Sequence, residues 1–238
     1  MRIALLGNSH AAALKLAWPA VASSLAGPRV TFFASRGTKL DSLAIADGAL
    51  ASKVDSISKD IAFTSGGLDR IVLADFDVFV LYGLGLRGTL DRPDGVFYSE
   101  SLLTQACVGQ SKSVGLNLLT KIRSVSSAPV FVGHEPLPSA VTVESPAPER
   151  YLDDIRRANR VVFEPLDATL LPQPVATLSG SRCTRTEYSI GSRRLDVGDE
   201  ISNELHGVHD RKHMNAEFGR LWLLSLMNAL KERTPPPV

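Results

Sequence analysis

Short runs of consecutive apolar residues alternate with longer stretches of helical periodicity along this chain. Residues 2–6 (RIALL), 29–34 (RVTFFA), 77–82 (DVFVLY), 129–132 (PVFV) and 160–163 (RVVF) read as buried strands. Between and after them, 11–25, 99–125, 149–159 and 214–232 read as helices, with a kink or break expected at Pro19. Strands that alternate with helices predict an α/β domain built on a parallel sheet. The last helix carries Phe218, Leu221, Trp222, Leu226 and Ala229 at helical spacing, which is ordinary core packing. Residues 234–238 (TPPPV) form a short exposed tail.

Two segments break the alternation. In 41–75, Gly66–Gly67 is placed to turn a β-hairpin. The stretch 166–209 is rich in Ser, Arg and Gly, with weak strand patterning only near 186–190. A loop that long inside a compact domain is functional or has its own structure. The chain shows no internal repeat and no interdomain linker, so 1–238 reads as one domain carrying two insertions.

Composition narrows the function classes. Lys and Arg number 26 against 25 Asp and Glu, so bulk charge attracts neither nucleic acid nor an anionic membrane. At 44% apolar and 6% aromatic over 238 residues the chain can bury a core without a metal or disulfide staple. Cys107 and Cys183 make no framework and no metal spacing. The apolar run 3–6 is shorter than the roughly 7–15 residues of a secretory signal. The run 11–26 holds Lys15 and Pro19 and falls short of the roughly 20 residues a membrane helix needs. The expected compartment is the cytoplasm, without a membrane partner.

Candidate chemistry lies at strand ends, where open parallel sheets bind ligands. Ser9, in Gly7-Asn8-Ser9-His10, follows the first strand and opens a helix. A serine there is either a helix cap or a nucleophile with backbone N–H groups close by. Asp210-Arg211-Lys212-His213 precedes the last helix. A serine hydroxyl needs a base, and the base needs a group that fixes its tautomer. Asp210 and His213, three apart in a turn, suit those roles; the alternative is capping, with Asn215 as an N-cap. His206, His209 and His213 with Asp210 are also metal-ligand residue types, though they match no zinc spacing. Gly83-Leu-Gly-Leu-Arg-Gly88 lacks the dinucleotide fingerprint, and no cofactor is expected.

The blocks Gly7-Asn8-Ser9-His10 and Asp210-Arg211-Lys212-His213, the latter continuing Met214-Asn215-Ala216-Glu217-Phe218-Gly219, resemble those of the SGNH, or GDSL-type, hydrolase superfamily. The resemblance implies a three-layer α/β/α, flavodoxin-like fold with five parallel strands in the order 2-1-3-4-5. It also implies Ser9 as nucleophile, His213 as general acid/base and Asp210 as its orienter. The oxyanion would be held by the N–H groups of Ser9 and Gly37 and by an asparagine after the third strand. Gly85 stands where that asparagine belongs, and losing one such donor costs about 2.7–4 kcal/mol of transition-state stabilisation. Asn8, Arg87 and His134 are the candidate substitutes. Arg36, Arg87 and His134 also follow strands and are candidate substrate contacts. The expected activity is ester hydrolysis or acyl transfer through an acyl-serine, on a small-molecule or saccharide ester such as an O-acetyl group. A non-catalytic carbohydrate- or ligand-binding module on the same fold is the alternative, and a metallohydrolase on the histidine cluster a third.

Overall fold

In the computed structural model, all residues are described except 26, 91–95, 111, 141–147, 199–202 and 234–238; the expected tail lies outside the described residues. Five strands, β1 (Arg2–Gly7), β2 (Arg29–Ala34), β6 (Val78–Tyr82), β7 (Val130–Gly133) and β9 (Ala168–Leu171), form one parallel sheet ordered β2-β1-β6-β7-β9. Counted within the sheet alone this is the expected 2-1-3-4-5 order, the flavodoxin-like arrangement with its switch point at β1. The other strands lie outside this sheet: β3 (Ala44–Ala46), β4 (Ala49–Ala51) and β5 (Ile71–Val72) pair antiparallel within 41–75, while β10 (Leu178–Ser179) pairs with β11 (Cys183–Arg185), and β11 with β8 (Ser139–Ala140), which lies in neither expected insertion.

Side chains alternate across the sheet, and each face buries a separate core. Ala4, Leu6, Phe79, Leu81 and Val132 face α2 (Asp55–Ser65), α4 (Val114–Arg123) and α5 (Glu149–Ala158). Ile3, Leu5, Val80, Tyr82 and Phe131 face α1 (Ala11–Ser23) and α6 (Ala216–Arg233). Helices therefore cover both faces in three layers. Pro19 lies within α1 without ending it, on an exposed position of the helix. Among the described residues, no helix is long and apolar enough to cross a membrane.

Three local expectations are corrected. Residues 160–163 are helical, one π turn (Asn159–Phe163) continuing α5, and the fifth strand is β9. Asn159 clamps that strand, its Oδ1 accepting from Leu170 N–H at 2.7 Å and its Nδ2 donating to Leu170 O at 2.9 Å. Gly66–Gly67 turns no hairpin: Gly66 ends α2 in the left-handed region and Gly67 N–H donates to Ala62 O at 2.7 Å. The hairpin turn is Asp47-Gly48, between β3 and β4. The helix expected over 99–125 is two, α3 (Glu100–Gln110) and α4, and Ser113 Oγ caps α4 by accepting from Leu116 N–H at 3.2 Å.

What positions the site is the approach of α6 to α1. A Cβ added at Gly219 would lie 2.1 Å from Ala13 O, so only glycine lets the two helix backbones meet there. Gly219→Val should destabilise the fold by about 2 kcal/mol or more, read as a lower denaturation midpoint with unchanged slope. A variant as stable as the native chain would show that the contact is not needed.

Candidate active site

The turn 8–10 leaves β1 and enters α1. Asn8 organises it: Asn8 Oδ1 accepts from His10 N–H at 3.2 Å and Asn8 O from Ala11 N–H at 3.0 Å. This leaves Ser9 Oγ free of capping, and it lies 3.0 Å from His213 Nε2, across 204 positions of sequence. His213 Nδ1 lies 2.9 Å from Asp210 Oδ2. The other carboxylate oxygen, Oδ1, accepts from the N–H groups of Lys212 at 2.8 Å and His213 at 2.9 Å. Desolvation would raise the Asp210 carboxyl, but the N–H groups and ring of His213 and the Lys212 N–H outweigh it and hold it well below the usual carboxylate range. An ionised Asp210 keeps the proton on Nδ1 and the Nε2 lone pair facing the serine.

The 166–209 insertion holds this turn. Asn215 caps α6 by accepting from Phe218 N–H at 3.2 Å, while its Nδ2 donates to Glu187 O at 2.8 Å and Ile190 O at 3.0 Å. His206 N–H donates to Ser192 O at 2.9 Å, and Arg211 O accepts from Ser139 N–H at 2.7 Å.

His213 is sandwiched between two other imidazoles. His206 stacks on it at 3.8 Å and 7°, with Nδ1 3.3 Å from the same Asp210 oxygen. His10 stacks on it at 4.8 Å. Burial, with His213 alongside, pushes His10 down to about 3 and His206 below its ordinary value, so both neighbours are neutral near pH 7. Ligand atoms of His206, Asp210 and His213 lie within 4.8 Å of one another, whereas exposed His209 is not among them. The near-parallel rings aim their in-plane lone pairs side by side, a poor match to the convergent lone pairs of a tetrahedral metal site.

The remaining expected residues divide. Ser35 N–H donates to Gly7 O at 3.2 Å, which sets the 35–37 turn beside Ser9, and Gly37 is exposed with φ +68°. Neither the Ser9 nor the Gly37 N–H has a partner among the described residues. Arg36 is committed elsewhere, its Nε and Nη2 donating to Leu195 O at 3.0 and 2.7 Å. His134 is buried under Gly88, with Nε2 2.7 Å from Tyr151 Oη and Nδ1 2.5 Å from Glu135 O. It therefore supplies no oxyanion donor and no substrate contact. Arg87 is exposed on the wall of a cleft of about 390 Å³ shared with Glu135, Pro136 and Arg182.

Glu135 is the residue that sequence reasoning passed over. Its Oε1 accepts from Gly85 N–H at 3.0 Å and from Asn8 Nδ2 at 3.2 Å, and lies 3.9 Å from His10 Nε2. Its place directly after the fourth strand was the available signal.

No family model matches the chain, and no curated protein matches it. One solved structure with some similarity is the apo form of DmrB from Burkholderia xenovorans, described as a cubic protein cage for redox transfer. Identity is 13% over 71% of this chain and 86% of that one, with a TM-score of 0.27, a likeness too slight to bear on this chain's fold or function.

The buried imidazoles predict the acid sensitivity of the fold. His10 is held at about 3 and His134 at about 4, both by burial, against an ordinary 6.5. As pH falls below 6.5 the unfolded chain takes up protons that the folded chain refuses, so stability falls until about pH 4 to 3. Denaturation midpoints should be flat above pH 7 and drop steadily from 6.5 to 4, with a shallower drop in His134→Gln.

Proposed function

We propose that this chain is a serine hydrolase of the SGNH type that cleaves or transfers ester-bound acyl groups. The observation that carries the reading is the continuous relay Ser9 Oγ–His213 Nε2 at 3.0 Å and His213 Nδ1–Asp210 Oδ2 at 2.9 Å. Its three members come from opposite ends of the chain and meet at the carboxyl end of β1, the sheet's switch point.

Ser9 Oγ attacks the ester carbonyl while His213 Nε2 takes its proton, and Asp210 stabilises the imidazolium that forms. The Ser9 and Gly37 N–H groups receive the oxyanion. As the tetrahedral intermediate collapses, His213 returns the proton to the departing alkoxide and the acyl group stays on Ser9. Water or an acceptor hydroxyl then attacks, with His213 again as base, and Ser9 recovers its proton. The resemblance favours a small acyl ester on a saccharide, and the clefts on either side are of ligand size, about 390 Å³ beside Glu135 and about 380 Å³ beside His206 and Asp210.

A second reading, a ligand-binding module that performs no chemistry, draws on one observation: Gly85 replaces the asparagine donor and its N–H is occupied by Glu135. Hydrolysis of p-nitrophenyl acetate separates the two. Ser9→Ala and His213→Ala should each lower kcat/KM by about 10³-fold or more. Rates equal to those of the native chain would remove the serine-hydrolase reading.

A further inference from the structure

Two hydrogen-bond donors at the carboxyl ends of β1 and β6 converge on one oxygen that belongs to the protein itself. Gly85 N–H and Asn8 Nδ2 lie 3.0 and 3.2 Å from Glu135 Oε1. The Asn8 amide cannot simply be turned round, because its Oδ1 is engaged by His10 N–H. Asn8 immediately precedes Ser9, and Gly7 pairs with Tyr82, which brings the 83–85 loop alongside. Two N–H donors that converge on a carboxylate oxygen present the geometry that also suits a developing oxyanion. Gly85 is exposed, so water can satisfy its N–H when Glu135 leaves, whereas Asn8 is buried and its Nδ2 is then left for another acceptor. Glu135 also lines a cleft with the exposed Arg87, which makes no ion pair among the described residues. The carboxylate thus sits on two neutral donors with a guanidinium on the wall of the same cleft.

We infer that Gly85 N–H and the Asn8 amide complete the anion-binding site of Ser9, and that Glu135 occupies them at rest and gates the reaction by leaving them. The inference rests on the serine-hydrolase reading for its consequence, but not for the anion site itself. The backbone of Glu135 is anchored, its N–H donating to Leu86 O at 2.9 Å and its carbonyl lying 2.5 Å from His134 Nδ1, so only the side chain moves. The side chain is 38% exposed and the cleft beside it gives it room to rotate towards Arg87. With Glu135 in place, a developing oxyanion meets a carboxylate and finds two donors already taken. With Glu135 turned out, it finds both free. The glycine at position 85 then loses no donor, because its own N–H replaces the missing side-chain amide.

The test compares Glu135→Ala and Glu135→Gln with the native chain. With p-nitrophenyl acetate, Glu135→Ala should raise kcat/KM by about tenfold to a hundredfold, and Glu135→Gln, which keeps the shape and loses the charge, by less. An unchanged or lower rate in Glu135→Ala would overturn the gate. A second readout does not require Ser9 chemistry: in a Ser9→Ala background, added acetate should shift the Gly85 backbone amide resonance when Glu135 is alanine and not when it is glutamate. If no variant turns over ester but acetate still shifts Gly85 in this way, the hydrolase reading fails and the anion site stands. If acetate leaves Gly85 unmoved in both, the anion site itself is refuted.

Discussion

Everything at the candidate site depends on how closely α6 can lie against α1. Ser9 sits at the entrance of α1 and His213 just before α6, so the helix pair sets the distance between a hydroxyl and an imidazole 204 residues apart. Gly219 is where the helix backbones meet, with no space for even a methyl group between it and Ala13 O. Below that contact, Phe218, Trp222, Leu223 and Leu226 fill the core with Leu14, Ala17 and Val21. Close packing holds distances to a fraction of an ångström, the tolerance a 3.0 Å serine–histidine contact demands.

The insertion 166–209 serves the same purpose by other means. The expected boundary at 166 is corrected: 168–171 is β9, the last strand of the sheet itself, and the residues after it form a network of small polar clamps. Gln173 is representative: its Oε1 accepts from Leu137 N–H at 3.0 Å while Nε2 donates to Thr177 and Thr184 hydroxyls at 3.0 and 2.9 Å. Further on, the segment grips Asn215 and His206, the flanks of the Asp210–His213 turn. The turn that carries the base is therefore braced from both sides.

Much of this was legible in the residues and some was not. Four of the five sheet strands are apolar runs bounded by turn residues, and their order in the sheet is the one expected. The fifth is not legible, because 160–163 (RVVF) and 168–171 (ATLL) are both short and mostly apolar, and periodicity cannot tell strand from helix over so short a window. The side-chain clamp of Asn159 on Leu170, a tertiary contact, marks the true strand. Asp47-Gly48 carried the stronger hairpin signal, while Gly66 was a helix terminus. At the site, the positions of Ser9, Asp210 and His213 were visible as motifs. The burial of His134 beneath Gly88 and the engagement of Arg36 with Leu195 were not, because strand-end position says where a residue lies and nothing of what surrounds it.

The central claim is that Ser9 is a nucleophile activated by His213. Incubating the folded chain with a fluorophosphonate and mapping the adduct by peptide mass spectrometry tests it most directly. The account predicts a covalent adduct on Ser9 that is lost in Ser9→Ala and strongly slowed in His213→Ala. An adduct on another residue, or none on Ser9 in either the native chain or Glu135→Ala, would contradict it.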